Sequence, residues 1–317
     1  MSRIEMPALD GRSPLGFLAA LGLMRVLALA EVKPLRLSFS RDSAAAVLHS
    51  PLSSIDEVVG QLQAVVSASP DTAVAGVDAR FPFRAGRSGG DPMRRPRTEF
   101  RELMSDIESI DLRAAREWMP YLFTDLAVDS QGRADLTPFC APSGKQNLRT
   151  FFATPLSAVR GDPSLLRDAL TSWRRVEGFT GEYLDHRVLN SAADDPAGRT
   201  GAERGVPGAT WLATMAIPLL RLSGDGQRIT AALWHRLGRR LVMIWPLWDR
   251  PLDLPAVRVM IEHPYLRPAA DQGIATVRGT AWPALRVFSV CGAERQRIPD
   301  RNFAGVLAPC PVEVRAD

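Results

Sequence analysis

Lysine is almost missing from this 317-residue chain: Lys33 and Lys145 are the only two among 39 basic residues, so its positive charge is carried by arginine. Arginine binds phosphate and carboxylate through a planar fork, which lysine does not. A GC-rich coding sequence gives the same bias without selection, and a formal charge of +4 with a pI near 9.3 does not decide between the two readings. Cysteine is scarce as well. Cys140, Cys291 and Cys310 are far apart and odd in number, which excludes a disulfide framework and a four-cysteine metal site. The only histidines are His49, His186, His235 and His263, with no pair at metal-ligand spacing, and neither a nucleophile elbow nor a Cys-x-x-Cys occurs. Zinc and Ser-His-Asp chemistry are therefore not expected. Long apolar runs are lacking too: the uncharged stretch Pro14 to Met24 falls short of the ~20 residues that cross a bilayer. Glu5, Asp10 and Arg12 precede it and Arg25 closes it, which is unlike an export signal. These absences predict a soluble, cytoplasmic protein with no membrane partner.

What is present begins with that apolar stretch, read as a buried helix. Ser13 is expected to cap its first turn, Pro14 occupies the first helical position, and Gly16 and Gly22 allow another backbone to approach closely. Pro34 to Phe39 alternates as a strand, Ala46 to His49 forms another, and Ser54 opens an amphipathic helix through Val66. Phe81 to Arg101 is rich in Gly, Pro and Arg and reads as a mobile basic loop. Helices are predicted over Asp111 to Phe123, Ser143 to Phe152 and Pro163 to Val176. A second buried helix is predicted over Thr210 to Leu222, kinked or ended by Pro218, and a buried strand over Arg239 to Trp248. Asp253 to Ile261 is a further helix, Ile274 closes another, and Leu285 to Val290 is a strand. The sum is an α+β fold of mixed helices on small antiparallel sheets, compact and multi-lobed. Residues 1–130 are expected as an N-terminal lobe that includes the basic loop 84–101, and residues 131–317 as a C-terminal lobe.

Two clusters suit nucleic acid. Arg84, Arg87, Arg94, Arg95, Arg97 and Arg101 could neutralise several phosphates, with an affinity that falls as salt rises. Lys145, Gln146, Asn147 and Arg149 lie within a turn and a half, where an amide could reach a base edge or a sugar. A solvated surface face competes with both readings, and for the pairs Arg174-Arg175 and Arg239-Arg240 it is preferred. Ser143-Gly144-Lys145-Gln146 is not a phosphate loop, because Phe139 replaces its first glycine and Gln146 its magnesium-binding hydroxyl. Asp185-His186-Arg187 with Asp194-Asp195 is the nearest approach to a catalytic cluster, set against a plain polar loop. Trp211, Trp245 and Trp248 sit in apolar runs and are expected in the core rather than in a stacking platform.

The opening pattern Leu9-x-Gly11-x-x-Pro14-Leu15-Gly16-Phe17-Leu18-Ala19-Ala20-Leu21-Gly22-Leu23-x-Arg25-Val26-Leu27 resembles the start of large-subunit-type proteins of type I-G (formerly I-U) CRISPR interference complexes. Thr137 to Asn147 is similar to their central Ser-Gly-x-Gln element. Asp185-His186-Arg187, Gly208 to Ala213 and Trp245 to Leu252 resemble their later Asp-x-Arg, Gly-Ala-x-Trp-Leu-Ala and Pro-Leu-Trp-x-Arg-Pro segments. The resemblance implies a non-catalytic subunit without cofactor or metal, binding CRISPR RNA, target DNA or both. It also implies other backbone subunits as partners and a separate helicase-nuclease that cleaves the target. In such complexes base pairing reads most of the sequence, and protein reads backbone shape and a short motif. The alternatives from the residues alone are a metal-dependent nuclease using Asp185, His186, Asp194 or Asp195, and a scaffold that binds only protein.

Overall fold

The computed structural model describes residues 1–69, 96–110, 113–140, 148–188, 203–271, 274–297 and 305–316. The chain starts with β1 (Ser2–Asp10), which pairs antiparallel with β3 and was not legible as a strand. Helix α1 (Pro14–Leu29) follows, then β2 (Arg36–Phe39) and β3 (Ala45–Ser50), giving a sheet ordered β1-β3-β2. Every residue of α1 from Pro14 to Leu27 is buried, as suits a helix whose one charged residue in that stretch is Arg25. Pro14 takes the first position as expected, but Ser13 does not cap with its side chain. Its hydroxyl is buried and unpartnered, while its carbonyl accepts the Phe17 N–H at 2.9 Å. Both glycines admit a backbone: a Cβ on Gly16 would strike the Asp10 carbonyl, and one on Gly22 the Leu212 carbonyl.

Helix α2 (Ile55–Ala68) is capped as its sequence dictates, Ser54 Oγ accepting from Glu57 N at 3.2 Å while Ser53 donates back to the Glu57 carboxylate. Next come α3 (Arg97–Ile110), α4 (Arg113–Leu122) and the hairpin β4 (Phe123–Val128) and β5 (Ala134–Leu136). The expected lobe boundary at residues 130–131 falls in the turn of this hairpin. Helix α5 (Leu148–Gly161) runs on past Pro155, beyond the expected end at Phe152, and α6 (Ser164–Thr171) stops short of Val176. The two-residue strands β6 (Val176–Glu177) and β7 (Arg204–Gly205) pair with each other.

Helix α7 (Pro207–Met215) is buried throughout and packs on α1, and Pro218 sits in a 3₁₀ turn, Ile217–Leu219, that ends the segment. The strands β8 (Leu222–Gly224), β9 (Ile229–Ala231), β10 (Trp234–Leu237) and β11 (Arg240–Trp248) then fold as a meander. After α8 (Leu254–Ile261), capped by Asp253, come β12 (Ala269–Asp271), β13 (Ile274–Arg278) and α9 (Trp282–Leu285). The chain ends with β14 (Val287–Gln296), β15 (Val306–Cys310) and β16 (Val312–Arg315). Ile274 thus opens a strand rather than closing a helix: Ala275 and Val277 are buried between β12, antiparallel, and β16, parallel.

The six-stranded sheet β15-β14-β11-β10-β9-β8 is joined to the N-terminal sheet through its tryptophans. Trp245 Nε1 donates to Gly11 O at 2.7 Å and Trp248 Nε1 to Leu37 O at 2.9 Å. Phe17 stacks near Phe39 and Trp245, with ring centroids 5.8 and 5.7 Å away. A single apolar cluster therefore contains residues from both ends of this α+β fold.

Candidate nucleic-acid interface

Of the ten residues singled out for nucleic acid, Arg84, Arg87, Arg94, Arg95, Lys145, Gln146 and Asn147 lie outside the described residues. Arg149 is placed in the first turn of α5, and only its backbone is described. Arg97 and Arg101 lie on α3, which corrects the loop reading for residues 97–101. The helix forms because Phe100 buries its ring edge-on against Phe123, at 4.7 Å, and Met104 follows one turn later. Pro96, bridged to Arg133, sets the helix start. Beyond Arg101 the helix turns acidic, with Glu102, Asp106 and Glu108, so its positive character is confined to the first turns.

The two arginines fare differently. Arg101 Nε reaches Asp125 Oδ2 at 2.6 Å on an exposed surface, where the carboxylate offsets its charge. Arg97 is half-buried, and its Nε is shielded from solvent without a hydrogen-bond partner. Beside Arg101 an apolar hollow of about 470 Å³ opens between α3 and the β4–β5 hairpin, bordered by Met104, Met119 and Leu126.

The motif stretches converge elsewhere, on a residue that sequence reasoning missed. Arg295, on β14, donates to Phe139 O at 2.7 Å, Pro138 O at 3.4 Å, Tyr183 O at 3.3 Å and Gly305 O at 3.2 Å. Burial lowers its pKa to about 10. Thr137, Phe139 and Cys140, the start of the Ser-Gly-Lys element, are buried, with Phe139 edge-on to Trp234 at 5.6 Å. The start of that element and the turn before Asp185 are thus held on one guanidinium. No local spacing reveals this, because the partners are 156 and 112 residues away.

Asp185 is only 2% exposed. Arg175 Nη2 lies 2.7 Å from one oxygen, Arg187 Nε and N lie 3.2 and 3.1 Å from the other, and His186 Nδ1 is 3.7 Å away. Burial would raise the Asp185 carboxyl, but Arg187 and Arg175 outweigh it and hold the group below its usual range. Burial pushes His186 down, with Asp185 opposing. Arg187 also lies over the Trp173 ring at 5.0 Å. Both oxygens of Asp185 are committed to guanidiniums, so the arrangement is an ion-pair centre that fastens Arg175, which in turn donates to Arg204 O at 2.8 Å. Asp194 and Asp195 lie outside the described residues, and among those described no three His, Cys, Asp or Glu side chains converge as a metal site.

The paired arginines divide. Arg174 bonds on the surface to Asp162 and Asp168, both at 2.7 Å, as a solvated face should, whereas Arg175 turns inward. Arg240 pairs with Glu294 at 2.7 Å, and Arg239 is exposed. Trp211, Trp245 and Trp248 are buried as expected. A cluster not legible in the sequence joins His263, Tyr265 and Trp282, with ring centroids 5.3 to 5.9 Å apart, and Arg278 lies over Tyr265 at 4.9 Å.

No family model matches this chain, and no curated protein matches it at a significant level. No helix among the described residues is long and apolar enough to cross a membrane.

Proposed function

We propose that this chain is a nucleic-acid-binding subunit of a CRISPR RNA-guided antiviral interference complex, contacting guide RNA, target DNA or both without chemistry of its own. The observation that carries the reading is Arg97. It lies in the arginine-rich run from Arg84 to Arg101, and it has no carboxylate partner among the described residues, whereas Arg101, Arg133, Arg174 and Arg175 are all matched by one. Unmatched guanidinium in that position is charge available to phosphate. The attachment of Pro138 and Phe139, at the start of the Thr137–Asn147 stretch, and of Tyr183, before Asp185, to Arg295 supports the same reading, since it joins two stretches that resemble the family's motifs. The nuclease alternative loses support at Asp185, whose oxygens are already committed to Arg175 and Arg187.

Co-purification tests the proposal. The tagged chain, recovered from cells carrying its own CRISPR array and neighbouring subunits, is expected to bring down short RNA that is sensitive to ribonuclease. Recovery free of nucleic acid at low salt would overturn it. So would Mg²⁺- or Mn²⁺-dependent cleavage of labelled nucleic acid that disappears in Asp194→Ala or Asp195→Ala.

A further inference from the structure

A second cavity is built around a different arginine. It lies where the last turns of α1 meet α4, the Ile217–Leu219 turn and α8, and it encloses about 480 Å³. That is within the range of small-ligand sites, which span roughly 300–1,000 Å³. Arg25, Arg116 and Arg258 line it, together with Glu117, Tyr121 and Leu29.

Arg25 is the telling residue. It is the one charged side chain in the buried run of α1 and is only 6% exposed. Its guanidinium stacks over the Trp118 ring at 4.8 Å and makes one long hydrogen bond, from Nη1 to Met215 O at 3.5 Å. A guanidinium has five N–H donors. Nε and Nη2 have no hydrogen-bond partner among the described residues, and the residue lines the cavity. Burial lowers the Arg25 pKa to about 10; Glu117 opposes the shift, and Arg258 adds to it as a like charge. Arg258, exposed on α8, reaches among the described residues only Pro218 O, at 3.5 Å. Three guanidiniums share the cavity with one carboxylate, Glu117, so its lining carries an excess of positive charge that an anion would offset.

We propose that this cavity is a binding site for a nucleotide phosphate, its phosphate held between Arg25 and Arg258 and its base set against Tyr121 and the apolar wall at Leu29. A phosphate offers several acceptor oxygens to two forks. The half-buried Tyr121 ring and the 49% exposed Leu29 give a flat ring somewhere to lie. The nucleotide could be free or the terminal residue of a strand, and the chemistry of recognition is the same. This site stands apart from the proposed role in an RNA-guided complex. Loss of long-RNA binding with nucleotide binding retained would leave it intact.

Calorimetric titration and thermal shift of the purified full chain provide the test, with adenosine 5′-monophosphate, adenosine, a 5′-phosphorylated octaribonucleotide and its 5′-hydroxyl counterpart. The monophosphate or the phosphorylated strand is expected to bind and raise Tm, and its unphosphorylated counterpart to bind at least tenfold more weakly. Arg258→Gln, at an exposed position where folding is not at risk, is expected to weaken binding tenfold or more, and Arg25→Met to abolish it. Tighter binding of the phosphorylated strand than of the monophosphate would make the ligand a strand end; the reverse order would make it a free nucleotide. The proposal is overturned if neither phosphate ligand binds, if Arg258→Gln binds as well as wild type, or if a glutamate-rich peptide outcompetes both.

Discussion

Arg25 and Arg295 are both guanidiniums taken largely out of water, and burial lowers the pKa of each to about 10. Their surroundings differ. Arg295 is met by four backbone carbonyls from three separate stretches of chain, whereas Arg25 has one long bond and an aromatic ring and otherwise opens on a cavity. The same desolvation cost is thus met in one place by the fold itself and in the other only in part. A cation satisfied by carbonyls is a structural tie, and one left open is poised for an anion. His235 shows a third solution. Burial, reinforced by Arg267, lowers its pKa to about 4, so it stays neutral at ordinary pH, with its Nε2 buried and unpartnered.

The largest expected effect follows from removing the tie. Arg295→Met leaves the carbonyls of Pro138, Phe139, Tyr183 and Gly305 without that donor, and urea unfolding should show a loss of about 3–5 kcal/mol. A loss below about 1 kcal/mol would erase the contrast with Arg25. A smaller effect is expected at the cavity. Arg25→Met exchanges a poorly satisfied buried cation for an apolar chain of similar reach, so stability should change by no more than about 1 kcal/mol in either direction. Destabilisation comparable to that of Arg295→Met would mean that Arg25 too is a tie. The smallest effect at neutral pH belongs to His235. Its folded pKa lies below the unfolded value of about 6.5, so the unfolded state takes up the proton first. The contribution of His235 to stability is accordingly flat above about pH 6.5, declines as pH falls toward 4 and levels off below that, and His235→Gln should make the measured decline over that range shallower. Unfolding midpoints measured across that range decide the point.

The parts of this fold that were legible are those whose signal is local. Gly16 and Gly22 mark close approach because they recur within the uncharged run from Pro14 to Met24, and the Leu212 carbonyl is the backbone that arrives at Gly22. Ser54 and Asp253 announce helix starts, and Trp245 and Trp248 lie in an apolar run that becomes the centre of the largest sheet. The three-residue strands β8, β9 and β12 escaped, because so short a run shows no period and is fixed by its neighbours rather than by its own pattern. Ile274 misled for the same reason. The candidate site was less legible than the fold. Arginine content indicated a class of ligand, but whether an arginine is matched, tied or open depends on residues distant in sequence: Arg25 with Met215, Arg175 with Asp185, Arg295 with Phe139. Arg97 and Arg101, four positions apart in one basic run, end with opposite fates because Asp125 on the neighbouring hairpin reaches only Arg101.

If Arg97 and the arginine-rich run it belongs to hold nucleic acid, as proposed, the affinity must depend on salt through these residues. The equilibrium binding of single-stranded RNA is measured from 50 to 300 mM salt for wild type and for the triple variant Arg94→Glu, Arg95→Glu, Arg97→Glu. Each phosphate that the protein no longer neutralises makes the slope of log affinity against log salt shallower by about 0.7. The triple variant is expected to bind at least tenfold more weakly at the lowest salt, with a slope shallower by about 2. Equal affinity and equal slope in a folded variant would contradict it.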